Sequence, residues 1–88
     1  MPNCLIILNP VSGNADLEQL KTLLEQHFSA WKKVYYDTNG KTDVRDIAQL
    51  LEQSPFQLVI ASGGDGTISM VANAIWKAQT DVALGLIP

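Results

Sequence analysis

The chain has 88 residues, enough for one small domain and too few for two. Apolar residues make up 47% and charged residues 17%, which supplies a core and excludes a disordered or coiled-coil chain. Nine acids against six scattered bases give a formal charge of -3, and that balance excludes the basic footprint of a nucleic-acid or anionic-lipid binder.

Cys4 to Leu8 is a continuous apolar run stopped by Asn9-Pro10, the pattern of a strand buried on both faces. From about Asp16 to Phe28, Leu17, Leu20, Leu23, Leu24 and Phe28 recur at three- and four-residue spacing, which predicts an amphipathic helix. Lys33 to Tyr36 is β-branched and aromatic and runs into Asp37-Thr38-Asn39-Gly40, so a shorter strand should end near Asp37. A second helix is expected over Asp43 to Gln53, broken at Ser54-Pro55, and a third buried strand over Gln57 to Ala61. A third helix should then place Ile68, Val71, Ala72 and Ile75 on one side, and Val82 to Ile87 reads as a fourth strand.

The pattern βαβαβαβ requires a parallel sheet with right-handed crossovers: a doubly wound α/β architecture of Rossmann-like type, with expected strand order 2-1-3-4. Ligands bind such sheets beyond the carboxyl ends of the strands, where the winding direction reverses. The loops Asn9 to Gly13 and Ser62 to Thr67 both leave strands at that point. The last strand has no helix after it, so one sheet edge is expected to be covered by further chain, by a partner, or by a second copy in a homodimer. Cys4, the single cysteine, suits a reducing cytoplasm. The start at Met1 shows no signal segment, and no run approaches the roughly 20 residues of a membrane span, so an unexported chain without its own anchor is expected.

Gly63-Gly64-Asp65-Gly66-Thr67 lies at a strand-to-helix junction. Its glycines permit positive φ and close approach of a ligand, and the first amides of the following helix point outward with the positive end of the dipole. The loop lacks the ending of a Walker P-loop and does not match Gly-x-Gly-x-x-Gly. Asp65 is repulsive beside phosphate oxygens unless a cation lies between them, which a Mg²⁺-nucleotide would supply; as a helix cap it would need no ligand. In Asn9-Pro10-Val11-Ser12-Gly13, Pro10 ends the ladder, Gly13 frees the backbone, and Asn9 and Ser12 offer side-chain hydrogen bonds toward the second loop. Alone this is an ordinary turn, and its meaning comes from the pairing. Thr38 could contact a ribose or base from the end of strand two. His27 has no second His or Cys with which to share a metal and reads as a solvated residue at a helix end. Cys4 reads as core, Trp31 and Trp76 as cover for the edges of helices and sheet, and Tyr35 and Tyr36 as pointing to opposite faces, one of them core.

Asn9-Pro-Val-Ser-Gly13, then Gly63-Gly-Asp-Gly-Thr67, then Leu84-Gly-Leu-Ile-Pro88 resemble the diacylglycerol kinase catalytic domain family, which includes bacterial soluble lipid kinases, ceramide kinases and sphingosine kinases. Gly-Gly-Asp-Gly-Thr is shared with NAD kinases and resembles a phosphofructokinase loop, whereas the Asn-Pro-x-Ser-Gly element selects lipid kinases. The resemblance implies an ATP site formed by Asn9, Pro10, Ser12, Gly13, Gly63, Gly64, Asp65, Gly66 and Thr67, with Asp65 catalytic near Mg²⁺ and the phosphates, and Thr38 matching a threonine after strand two. It implies that residues 1–88 are the amino-terminal ATP-binding part of a lipid kinase. A β-rich second domain, absent here, would hold the general base, further Mg²⁺ ligands and much of the lipid site. The fragment alone should then be inactive, and the complete protein cytoplasmic, meeting the membrane peripherally. Ile68, Ser69 and Met70 depart from the family's small apolar residue, Asn and Glu. Two other readings are an NAD kinase-like fragment and a non-catalytic α/β interaction module.

Overall fold

The computed structural model describes residues 2–10 and 17–87. Its elements in chain order are β1 (Asn3–Leu8), α1 (Leu17–His27), β2 (Lys32–Asp37), α2 (Asp43–Gln53), β3 (Leu58–Ser62), α3 (Asp65–Ala78) and β4 (Ala83–Ile87). The strands form one all-parallel sheet in the order β2-β1-β3-β4. This is the doubly wound α/β arrangement that the alternation of strands and helices requires.

The burial pattern follows from the winding. β1 pairs with β2 on one side and β3 on the other, so its run of apolar residues faces protein in every direction, and Cys4, Leu5, Ile6, Ile7 and Leu8 are all fully buried. The connection from β1 moves one way along the sheet and the connections from β2 onward move the other way. Right-handed crossovers therefore put α1 on one face and α2 and α3 on the opposite one. Leu24 of α1 packs with Cys4, Ile6, Leu8 and Ile60, while Ile47 and Leu51 of α2 and Val71 and Ala74 of α3 pack on Leu5, Ile7, Val59 and Ala61. Each fully buried Leu, Ile or Val contributes roughly 1.5–3 kcal/mol relative to exposure, so β1 is the energetic centre of the sheet.

Several side chains differ from expectation, among them Leu23, expected on the apolar face of α1 and 45% exposed. Ala72 is exposed, and Ala74 takes its place on the packed face. The 3.6-residue period runs the buried stripe through Thr67, Val71 and Ala74, which turns position 72 outward. Trp76 is 82% exposed and covers no edge, whereas Trp31 packs edge-to-face on Phe28 at 5.6 Å between ring centroids. Tyr35 and Tyr36 do take opposite faces, but each is half-buried and neither is core. His27 is the exposed last residue of α1, and burial pushes the Cys4 thiol above its ordinary pKa.

Candidate functional site

The carboxyl ends of β2, β1 and β3 lie side by side, and the segments leaving them meet at a cleft of about 890 Å³. Asn9 follows β1, Thr38 follows β2, and Gly64, Gly66 and Thr67 follow β3; all five line the cleft. The Asn9 amide Nδ2 donates to Thr67 Oγ1 at 3.1 Å, a direct bond between the end of β1 and the start of α3, 58 residues apart in sequence. Thr67 is 6% exposed, which fixes its hydroxyl in place at the first turn of α3.

The turn from β3 into α3 depends on Gly63. Its φ is +146°, a conformation that L side chains rarely adopt, and an added Cβ would lie 2.7 Å from Thr67 Oγ1 and 3.0 Å from Thr67 Cβ. Gly64 occupies the N-cap without a side-chain cap, so the amides that open α3 have no intrahelical acceptor and face the cleft end of the sheet. Capping by Asp65 is not realised, because the helix begins at that residue rather than after it.

The candidate residues therefore divide. Asn9, Thr38, Gly64, Gly66 and Thr67 come together, whereas Pro10, Gly63 and Asp65 do not line the cleft. Pro10 is exposed in the turn after β1, Gly63 shapes the bend beneath, and Asp65 is exposed at the first position of α3. Ser12 and Gly13 lie outside the described residues.

Sequence reasoning missed the opposite wall. Lys41 and Arg45, from the loop and first turn around α2, and Lys77 of α3 line the cleft, so half of the chain's six bases gather there. The bases on the α1 side have structural work instead: Lys33 Nζ donates to the carbonyls of Phe28 and Trp31 at 2.8 and 3.0 Å, and Lys21 sits 5.6 Å from the centroid of the Tyr35 ring. Among the described residues one carboxylate, that of Asp43, lines the cleft against the three cations. It is buried and already accepts from Asn39 N, Gly40 N and Tyr36 Oη, each at 2.8 Å. Burial pushes its pKa up, but those donors outweigh burial and leave it below the ordinary carboxylate value. The same contact, with burial as the larger cause, pushes the Tyr36 phenol up. Asn39-Gly40 followed by an acid at a helix start was the available signal, and it read only as a turn and a helix boundary.

The cleft thus offers outward amides, a buried hydroxyl and three cations within an acidic chain, an arrangement that attracts and holds an anion such as a phosphate chain. Residues 3–88 match the family model for the diacylglycerol kinase catalytic domain. The chain belongs to that family.

Among its relatives, the diacylglycerol kinase of Bacillus subtilis (strain 168) is 33% identical over 93 residues, covering 100% of this chain and 30% of the relative. That of Staphylococcus epidermidis (strain ATCC 35984) is 34% identical over 88 residues, covering 94% of the chain and 27% of the relative. A solved structure from Bacillus anthracis, assigned as a diacylglycerol kinase, superposes with a TM-score of 0.77 at 26% identity, over 98% of this chain and 30% of that one. The chain therefore spans less than a third of the length of these relatives. No described helix is long and apolar enough to cross a membrane.

Proposed function

We propose that these residues are the nucleotide-binding part of an ATP-dependent lipid kinase, in which the γ-phosphoryl of Mg-ATP passes to the hydroxyl of a lipid of the diacylglycerol class. The observation that carries this reading is the convergence of Asn9, Thr38, Gly64, Gly66 and Thr67 on one cleft together with Lys41, Arg45 and Lys77. The volume suits a nucleotide-sized ligand, and the cations oppose the charge of its phosphates. Phosphoryl transfer asks mostly for positioning and charge neutralisation, which amides at a helix N-terminus and fixed cations provide.

Among the described residues no group of three or more His, Cys, Asp or Glu side chains could hold a resident metal. Asp65 does not line the cleft itself, but it is exposed between Gly64 and Gly66, which do, and there it would meet a Mg²⁺ that arrives on the nucleotide, since that ion is commonly held by one or two carboxylates plus phosphate oxygens. The ion would neutralise charge on the β- and γ-phosphates. Gly64 and Gly66 would present backbone amides to them, Thr67 its hydroxyl, and Thr38 would meet the nucleoside end.

The acceptor lipid and the base that takes its proton are proposed to be met by residues outside these 88, at a membrane surface contacted peripherally, so the chain alone should bind nucleotide and transfer nothing. The test is titration with Mg-ATP followed by amide NMR. Shifts at Gly64 and Gly66 support the reading, and their absence at millimolar nucleotide overturns it. In the complete protein, Asp65→Asn should lower the rate of phosphoryl transfer to diacylglycerol by at least tenfold while the unfolding midpoint is held; unchanged turnover would remove Asp65 from the mechanism.

A further inference from the structure

The loop between β2 and α2 is exposed at its tip, where Asn39, Gly40 and Lys41 meet solvent, yet its backbone amides from Thr38 to Thr42 all bond within the chain. Asp43 Oδ1 accepts from Asn39 N and from Tyr36 Oη, and Asp43 Oδ2 accepts from Gly40 N. Asn39 Oδ1 accepts from the amides of Lys41 and Thr42 at 2.7 and 2.9 Å. Thr42 stands at the N-cap of α2 but makes no capping bond; its hydroxyl donates to Asp46 Oδ2 at 2.6 Å, which Tyr36 Oη also approaches at 3.3 Å.

Two features of Asp43 are not needed merely to begin a helix. Asp43 as a residue is 7% exposed, and none of the ion pairs among the described residues includes it, so neutral donors offset the cost of burying its charge. Its bonds also run backward, into the loop and to β2, rather than forward to the first amides of α2. What they fix is the stretch Thr38–Lys41, with Gly40 at φ +80°, and that stretch is one wall of the cleft.

We propose that Asp43, locked by Tyr36, is a positioning residue that holds the Thr38–Lys41 wall in its ligand-ready shape before the nucleotide arrives. The inference rests on the nucleotide reading of the cleft. Without the lock the loop samples other shapes, and apparent affinity falls in proportion to the fraction still competent: a loop competent about a tenth of the time binds about tenfold more weakly.

The 88-residue chain is titrated with Mg-ATP as wild type, Asp43→Asn and Tyr36→Phe, and amide hydrogen exchange is followed at Asn39 and Gly40. Asp43→Asn turns an acceptor into a donor toward the loop, and about a tenfold rise in Kd is expected, with faster exchange at both amides. Tyr36→Phe leaves the two backbone bonds in place, and a smaller rise of about threefold is expected. Exchange in β1 and β3 should stay at the wild-type level, which separates loss of the wall from loss of the fold. Should Asp43→Asn fail to fold, Tyr36→Phe decides. Variants that exchange faster at Asn39 and Gly40 but bind as wild type overturn the inference and leave the nucleotide reading standing. Wild type that gives no shift at Gly64 and Gly66 overturns that reading and the inference with it.

Discussion

Replacing Gly63 with alanine tests how the turn before α3 is built. The new Cβ would sit at φ +146°, 2.7 Å from Thr67 Oγ1 and 3.0 Å from Thr67 Cβ. Rotating the Thr67 hydroxyl relieves the first contact but not the second, because that Cβ is fixed to the backbone of α3. A residue held in a rarely populated backbone region costs about 1–3 kcal/mol. Overpacking a tight contact adds about 1–3 kcal/mol, and disturbing the Asn9–Thr67 hydrogen bond adds about 0.5–1.5 kcal/mol. A loss of about 3–5 kcal/mol is expected, a large share of the stability of a domain this size.

Gly66→Ala is the control. An added Cβ there meets nothing within 4 Å, and alanine inside a helix gains about 0.5–1 kcal/mol over glycine. Yet Gly66 lines the cleft, so its new methyl should hinder a phosphate against the amides. Urea unfolding followed by circular dichroism, paired with Mg-ATP titration, reads both effects. The midpoint should fall sharply for Gly63→Ala and hold or rise for Gly66→Ala, while nucleotide affinity falls for Gly66→Ala. A Gly63→Ala midpoint equal to wild type would refute the steric account of the turn.

Acid and alkali should each destabilise the chain through a named group. The carboxyl of Asp43 has a folded pKa below its ordinary value, so its contribution is present above that value and is lost as pH falls through the folded one; a falling urea midpoint below about pH 4, weakened in Asp43→Asn, is the expected profile. Burial, helped by the hydrogen bond to Glu25, pushes the Tyr35 phenol from 10.0 up to about 12, so its contribution holds below pH 10 and is lost between 10 and 12; Tyr35→Phe should flatten that alkaline limb. Ile47→Ala removes a fully buried side chain between α2 and the sheet and should cost about 2–5 kcal/mol by urea unfolding, with Leu23→Ala, 45% exposed, as the near-neutral comparison.

The strands and helices were legible because each carries an unambiguous period. Cys4 to Leu8 could only be a strand buried on both faces, and it lies at the centre of the sheet between β2 and β3. The order of strands followed from the handedness of crossovers and from the two unusual loops, which had to meet. α3 was harder, since small residues on both sides blur its apolar stripe, and Ala72 and Ala74 cannot be told apart until the helix start is fixed at Asp65. Half of the cleft was legible, namely the glycine loop, Asn9 and Thr38, because glycines at a strand end have few other uses. The cationic wall was not, because Lys77 lies far in sequence from Lys41 and Arg45, and all three look like ordinary surface bases until α2 and α3 pack side by side.

The two walls of the cleft are held by opposite means. Around Gly63 and Thr67 the geometry depends on an absent side chain: the turn closes because nothing occupies the space that Thr67 fills. Around Asp43 it depends on a present charge, buried without an ion-pair partner and offset by two amides of the loop it shapes and by the Tyr36 hydroxyl of β2. The Asn9–Thr67 bond ties the first of these walls to β1, the best-buried strand, while Tyr36 ties the second to β2 at the sheet's edge. A wall anchored at an edge strand opens at lower free energy than one anchored at the centre. Local opening should therefore begin at Asn39 and Gly40, and their amides should exchange faster than that of Ile68, which donates to the Gly64 carbonyl in the first turn of α3, while the sheet stays intact.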